Sequence, residues 1–205
     1  METNENNVSH ISHSPSSTIV EKLEAAVRKA FSDQDFHQAD MRSIAQNAGV
    51  SLATIYKYYG NKEKLLFAFV DKWMGSLANR QIDHLQGLES LQEKMRKICW
   101  IQLDFYEKNH DIGKIIWMTT PLKTWMSDKT FEQKKLMSVY GEVFKEGQDK
   151  GYLRDGVSPH MFVDILFGVV WRMFTMWVYR GQKNSLVGQS KILFEVVWSA
   201  IAKPD

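Results

Sequence analysis

Residues 41–66 read MRSIAQNAGVSLATIYKYYGNKEKLL, and the order of apolar and polar residues in this stretch decides the fold. Met41, Ile44, Ala45 and Ala48 recur at helical spacing, which predicts a short helix over 41–48 opened by Asp40 or Ala39. Gly49 and Val50 form a turn, and Gly supplies the positive φ that such a turn needs. Ser51 is a good N-cap for a second short helix, 51–59, because its hydroxyl can accept an unpaired N–H of the first turn. Asn61 caps another helix, running from Lys62 to about Asn79, with Leu65, Leu66, Phe69, Val70, Trp73 and Leu77 along its inward stripe. Two short helices about a Gly-containing turn are a helix-turn-helix signature.

The second short helix is too polar for packing to explain it. Ser51, Thr54, Tyr56, Lys57 and Tyr58 surround few positions suited to burial, chiefly Leu52 and Ile55. Hydroxyls, aromatics and a lysine on one exposed side suit phosphates and thymine methyl groups in a major groove. The whole chain of 205 residues has a net charge of only +2, so a basic surface has to be local. Between Arg42 and Lys64 it is: Arg42, Lys57, Lys62 and Lys64 stand against Glu63 alone. Lys62 also lies at a helix start, where backbone N–H groups favour an anion.

These residues resemble the N-terminal domain of the TetR/AcrR family of regulators. The resemblance is carried by Ile44-Ala45, Ala48-Gly49-Val50-Ser51, the run from Thr54 to Tyr59, and Lys62-Glu63-Lys64-Leu65-Leu66, and it extends over about residues 19–70. It implies that Thr54, Tyr56, Lys57 and Tyr58 face double-stranded operator DNA, with Ser51 and Ala53 at the groove edge. Lys62 would grip a phosphate and Arg42 would add a contact from the preceding helix. A weaker echo of the family lies at Glu146-Gly147-Gln148 and Gly151-Tyr152-Leu153-Arg154. One departure is Asp35 before Phe36, where the family usually has Gly at a left-handed corner; Asp tolerates that geometry better than most residues.

Outward from the motif, residues 1–15 are polar and aperiodic and read as a disordered arm. Thr18 and Glu21 have capping-box spacing at the start of a first helix with Ile19, Leu23, Ala26, Val27, Ala30 and Phe31 as its stripe. Beyond Gly87, longer helices are expected at 88–108, 111–118, 122–150, 159–179 and 185–202, broken by Gly and Pro. No segment alternates with period two, so no sheet is expected. The fold class is therefore all-α: a three-helix head over 16–65, joined by the fourth helix to a larger helical domain over 66–205.

Seven Trp and eleven Phe are generous for this length. A pocket for an apolar or aromatic small-molecule effector is expected among Cys99, Leu103, Tyr106, Trp117, Trp125, Tyr140, Phe144, Phe167, Trp171 and Phe174, some of which would be plain core. Helix 159–179 is apolar nearly all round and has to be covered on two sides. One side can face the core, and the other, with Leu193, Val196, Val197 and Ile201 of the last helix, can pack on a second copy. Gly168, Arg172, Met176, Leu193, Val197 and Ile201 are the expected interface of that homodimer, which the resemblance also implies. Arg172 or Arg154 could pair an acid group on the effector.

The same helix has nearly the length of a membrane span, but Asp164 and Arg172 would each cost roughly 2.5–3.5 kcal/mol near a bilayer centre. One Cys allows no internal disulfide, and no secretory pattern opens the chain, so the cytoplasm is the expected compartment. Glu107 and His110 have the spacing of a di-iron ligand pair without its second copy, and read as solvated residues. Cys99 reads as an inert thiol. No catalytic constellation, metal site or cofactor is expected.

Overall fold

The computed structural model describes residues 14–127 and 134–204. Ten α-helices occur among them, and no strand. The expected arm lies outside the described residues except for Ser14 and Pro15.

The head contains α1 (Ser17–Asp33), α2 (Met41–Ala48) and α3 (Leu52–Tyr59). The cap of α1 is Ser16, whose hydroxyl accepts the Ile19 N–H, so the helix starts ahead of the expected Thr18–Glu21 box. The chain turns after α1 without a left-handed residue at Asp35; its carbonyl accepts the Gln38 and Ala39 N–H groups instead. Asp40 caps α2, and Gly49 closes it at φ 62°, a conformation a Cβ would oppose. Ile44, Ile55, Leu65 and the α1 residues Leu23, Val27 and Phe31 are buried in the head core. α4 (Lys62–Leu85) is a turn and a half longer than its apolar stripe suggested, and carries Gln81 into the buried interior.

α5 (Leu91–Lys108) runs through the middle of the larger domain, with every residue from Ile101 to Tyr106 buried. It packs on α4, α6 (His110–Lys114), α8 (Lys134–Asp149), α9 (Pro159–Tyr179) and α10 (Ser190–Ile201). A π-helical turn, Ile115–Thr119, follows α6, and the Thr120 N–H reaches the Ile115 carbonyl five residues back at 2.8 Å. α7 (Leu122–Ser127) and α8 are the two described ends of the helix expected over 122–150. α10 begins after a 3₁₀ turn, Val187–Gln189.

The Gly147–Arg154 corner has a steric cause. A Cβ on Gly147 would stand 2.6 Å from Leu91 and 2.7 Å from Leu153. The Gln148 side chain donates to the carbonyls of Arg154 and Val157, which holds the loop closed. Arg154 itself donates to the Ala202 carbonyl at the end of α10. It thus clasps the end of α10.

Candidate functional site

The α3 surface is built by its caps. Ser51 Oγ accepts the Thr54 N–H at 3.0 Å and lies 2.7 Å from the Thr54 hydroxyl, which fixes the first turn. Gly60, at φ 79°, ends the helix after eight residues. Ile55 is its one fully buried side chain, so rotation about the helix axis is set by a single anchor together with Leu52 and Tyr59. That anchoring leaves Ser51, Ala53, Tyr56 and Lys57 exposed, with Tyr56 at 47%, and Thr54 and Tyr58 half-buried. Lys57 Nζ stands 5.5 Å over the Tyr58 ring. Arg42 is exposed on α2.

Lys62 is already engaged by the protein's own backbone. Its ammonium donates to the carbonyls of Ala39 at 2.9 Å and His37 at 3.3 Å, and lies 4.7 Å over the Phe36 ring. The flexible four-carbon stem lets the charge fold back onto carbonyls that the α1–α2 connection leaves open. Lys62 therefore pins that connection to the start of α4, with one N–H to spare.

In the larger domain, five of the expected pocket residues form a chain of ring contacts. Tyr106 meets Phe174 at 5.3 Å and Trp117 at 5.9 Å; Trp117 meets Phe167 at 6.4 Å; Phe167 meets Tyr140 at 5.4 Å. Tyr106, Tyr140 and Phe174 are fully buried, whereas Trp117 and Phe167 are half-buried at the rim. Cys99 and Leu103 are buried on α5, and burial pushes the Cys99 thiol up to about 12, which leaves it unreactive near neutrality. Phe144 pairs with Phe162. Trp125 is buried and donates its indole N–H to Asp71 of α4 at 3.2 Å. Trp171 corrects the expectation: at 44% exposure it lies on the outer face of α9, three residues around the helix from the buried Phe174.

Two residues that the aromatic pattern missed sit in this core. Gln102 of α5 donates to the Tyr140 hydroxyl at 2.7 Å, and that hydroxyl donates to Gln81 of α4. Both glutamines are fully buried. Gln81 Nε2 and Gln102 Oε1 are buried without a hydrogen-bond partner among the described residues, while the Tyr106 hydroxyl and the Trp117 indole N–H are buried beside each other without a well-formed bond. An orphaned group of this kind costs about 1–3 kcal/mol. Burial drives the Tyr106 and Tyr140 phenols far above their ordinary range, so both hydroxyls keep their protons.

Core and head are joined at definite points. Phe174 lies against Gly113 of α6, where a Cβ would come within 2.4 Å of the ring. Next to Gly113, Asp111 accepts two bonds from Arg28 of α1, at 2.5 and 2.7 Å. At the end of the π turn the Thr119 hydroxyl donates to the Phe31 carbonyl of α1 at 3.0 Å. Burial alone would raise the Asp111 carboxyl, but Arg28 outweighs it and holds the carboxyl below the usual range. Glu24 of α1 is likewise desolvated, yet is held low by Lys72 and Trp73 of α4.

The last two helices show a register error in the expected interface. Leu193, Val197 and Ile201 point into the protein's own core, Leu193 with 1% exposure. The outward residues of α10 are their neighbours Ile192 and Val196, at 62% and 55%. On α9, Gly168 and Arg172 are exposed and Met176 is half-buried. The outer stripe of α9 also carries Met161, Trp171 and Tyr179. Glu107 is not simply solvated, since it accepts the Ser185 hydroxyl and the Val187 N–H and so caps the 3₁₀ turn. No cluster of three metal-ligating side chains occurs among the described residues.

A polar helix offered from a three-helix head, tied by α4 and α6 to a helical domain with an aromatic core, defines a helix-turn-helix regulator with a built-in sensor. Residues 23–69 match the model for bacterial regulatory proteins of the tetR family, and residues 69–200 match that for the C-terminal region of YsiA-like proteins. The chain belongs to the tetR family and is a DNA-binding transcription regulator with a ligand-binding domain. The fatty acid metabolism regulator protein of Bacillus subtilis is 25% identical over 185 residues, 87% of this chain and 93% of the relative. The fold matches that of the fatty acid degradation regulator FadR of Bacillus halodurans with TM-score 0.80 and 20% identity, covering 91% of this chain and 97% of the other. FadR of Bacillus subtilis, solved in complex with stearoyl-CoA, aligns with TM-score 0.77 and 22% identity, over 89% of this chain and 99% of the other.

Proposed function

We propose that the protein is a cytoplasmic, non-enzymatic repressor, in which residues 16–65 grip a near-palindromic operator and residues 66–205 dimerise and bind an acyl-CoA-type thioester that releases the DNA. The observation that carries this reading is the exposure of Tyr56 and Lys57 on a capped helix held by one buried anchor. Side chains presented in that way can reach base edges and phosphates without unfolding anything. Thr54, Tyr56 and Tyr58 address the groove, Ser51 and Ala53 its edge, and Arg42 and Lys57 the phosphates. Lys62 spends its remaining N–H on one more phosphate.

The dimer is proposed through the outer stripes of α9 and α10, where Met161, Trp171, Tyr179, Ile192 and Val196 leave apolar surface in water. Gly168 lets the two copies of α9 approach closely. α9 is apolar enough to cross a membrane by length and composition, with mean hydropathy 1.6. Its inner face, from Phe162 to Trp177, is nevertheless packed on its own domain, and its outer stripe carries Asp164 and Arg172. A two-fold dimer places two recognition helices about 34–36 Å apart, or a multiple of that, on successive major grooves.

The thioester is suggested by the stearoyl-CoA complex of the Bacillus subtilis regulator. Release is a population shift: an effector that displaces Phe174 moves α6 and the π turn, and the Arg28–Asp111 and Thr119–Phe31 bonds carry the movement to α1. Such couplings are typically ~1–3 kcal/mol. Gel shifts with the region upstream of the protein's own gene test the reading. Tyr56→Ala and Lys57→Ala should each weaken binding about 5- to 150-fold while circular dichroism stays unchanged. Lys57→Ala should also flatten the salt slope by about one unit. Normal binding by both variants refutes the recognition helix, and full binding in saturating acyl-CoA refutes release.

A further inference from the structure

We infer that the effector brings a hydroxyl group into the core, bound by Gln81, Gln102 and Tyr106, so that this protein selects hydroxyl-bearing acyl groups over plain saturated ones. The inference rests on the aromatic core being the effector site.

The Tyr140 hydroxyl takes one acceptor and one donor from the two glutamines, accepting from Gln102 and donating to Gln81. With Gln102 donating to this hydroxyl and Gln81 accepting from it, one amide acceptor and one amide donor are left over. Those leftovers are Gln81 Nε2 and Gln102 Oε1, both buried. Gln102 and Tyr106 share a face of α5, four residues apart, and the Tyr106 hydroxyl, beside the Trp117 indole N–H, has no acceptor for its own proton among the described residues. Both glutamines bond the Tyr140 hydroxyl, and Tyr140 is joined to Tyr106 through the Phe167 and Trp117 rings.

An apolar chain laid against these atoms would leave every one of them orphaned. A carbonyl would satisfy donors only. A hydroxyl donates to one leftover and accepts from the other. The half-buried Trp117 and Phe167 touch Tyr106 and Tyr140 respectively, so aromatic rings stand between the polar atoms and the surface. An acyl group bearing a hydroxyl is therefore the matching chemistry.

The test uses the full-length protein on fluorescent operator DNA, with two matched pairs of probes: decanoyl-CoA against 3-hydroxydecanoyl-CoA, and phenylpropanoyl-CoA against its ring-hydroxylated form. The hydroxylated member of at least one pair should release DNA at about tenfold lower concentration, the value of one good hydrogen bond. Gln102→Leu should erase that preference. Tyr106→Phe should reduce it while leaving the thermal midpoint of the effector-free protein equal or higher, because the deleted hydroxyl makes no well-formed hydrogen bond. A midpoint lowered by several degrees would show the hydroxyl to be structural and overturn the inference.

The remaining outcomes separate the inference from the proposed thioester. Saturated thioesters acting as well as hydroxylated ones in both pairs overturn the inference and leave the thioester reading standing. Release by the hydroxylated free acids alone, with every thioester inert, does the opposite. Silence of all probes in both DNA release and thermal shift removes both.

Discussion

Gly113→Ala is a one-carbon test of the link between core and head. The added methyl would stand 2.4, 2.8 and 3.0 Å from three carbons at the tip of the Phe174 ring. Ordinary carbon contacts begin near 3.5 Å, so ring or helix has to give way by about 1 Å. Overpacking of this size costs typically about 1–3 kcal/mol. Against that, Ala in place of Gly inside a helix gains up to about 1 kcal/mol. The single variant should therefore be destabilised by up to about 2 kcal/mol in denaturant melts, and its operator affinity should fall several-fold without effector, since the same displacement is proposed to drive release. The sharper part is the background dependence. In a Phe174→Leu protein the three contacted carbons are gone, so Gly113→Ala should change sign and stabilise by up to about 1 kcal/mol. A destabilisation that persists unchanged in the Leu background would show that the methyl meets something other than Phe174, and the proposed route from core to head would fail at its first step.

The dimer proposal separates two neighbouring positions on α10. Val196→Glu should convert the dimer to monomer in analytical ultracentrifugation with little loss of helicity, because it puts a charge into the shared apolar face. Leu193→Ala should instead lower monomer stability by about 2–5 kcal/mol and leave the association constant per folded protomer alone. The α1 joints predict an acid limb. Asp111 and Glu24 have folded values held below their ordinary ones, near 3.9 and 4.3, so their contribution is fully present above those values and is lost as pH falls through the folded ones. The thermal midpoint should hold from pH 8 to 5 and drop below about pH 4, and Asp111→Asn should flatten that drop. Ser51→Ala should cost about 1 kcal/mol and weaken operator binding further than the stability loss explains, since the cap also positions Thr54.

The head was legible because several local signals agree there. Asp40, Ser51 and Asn61 cap as their side chains allow, Gly49 takes the positive φ, and the apolar positions of α2 all turn inward. Farther along, the signals degenerate. α10 is apolar on two stripes one residue apart, so composition could not tell Leu193 and Val197, which fill the core, from Ile192 and Val196, which do not. Trp171 misled for the same reason, since a large aromatic in an apolar helix is equally at home on either face. Long cations defeat spacing arguments altogether: Lys62 and Arg154 each fold back onto backbone carbonyls that only the tertiary structure leaves open. The glutamines could have been found. Gln81 falls four residues after Leu77 and Gln102 four before Tyr106, each a polar residue on an inward stripe. A buried amide at such a position calls for a partner.

The two-faced character of α9 bears on how a sensor and a dimer can share one helix. Phe174 faces Gly113 and Tyr106 inside, while Trp171, three residues earlier, faces outward. A close-packed helix moves as a body and does not flex residue by residue. An effector that shifts Phe174 by about 1 Å would therefore either translate α9, and with it the dimer seam, or push α6 away and spare the seam. The covalent and hydrogen-bonded restraints favour the second course. α9 is continuous for 21 residues, whereas α6 has five and runs directly into a π turn, where the hydrogen-bond register of the helix changes. Under the proposed release, movement would then go toward α1 through Arg28 and Thr119, and the two heads of the proposed dimer would change their spacing while its seam stays fixed. On this argument the dimer should stay intact in saturating effector, and an effector that dissociated it would place the moving part on α9 instead.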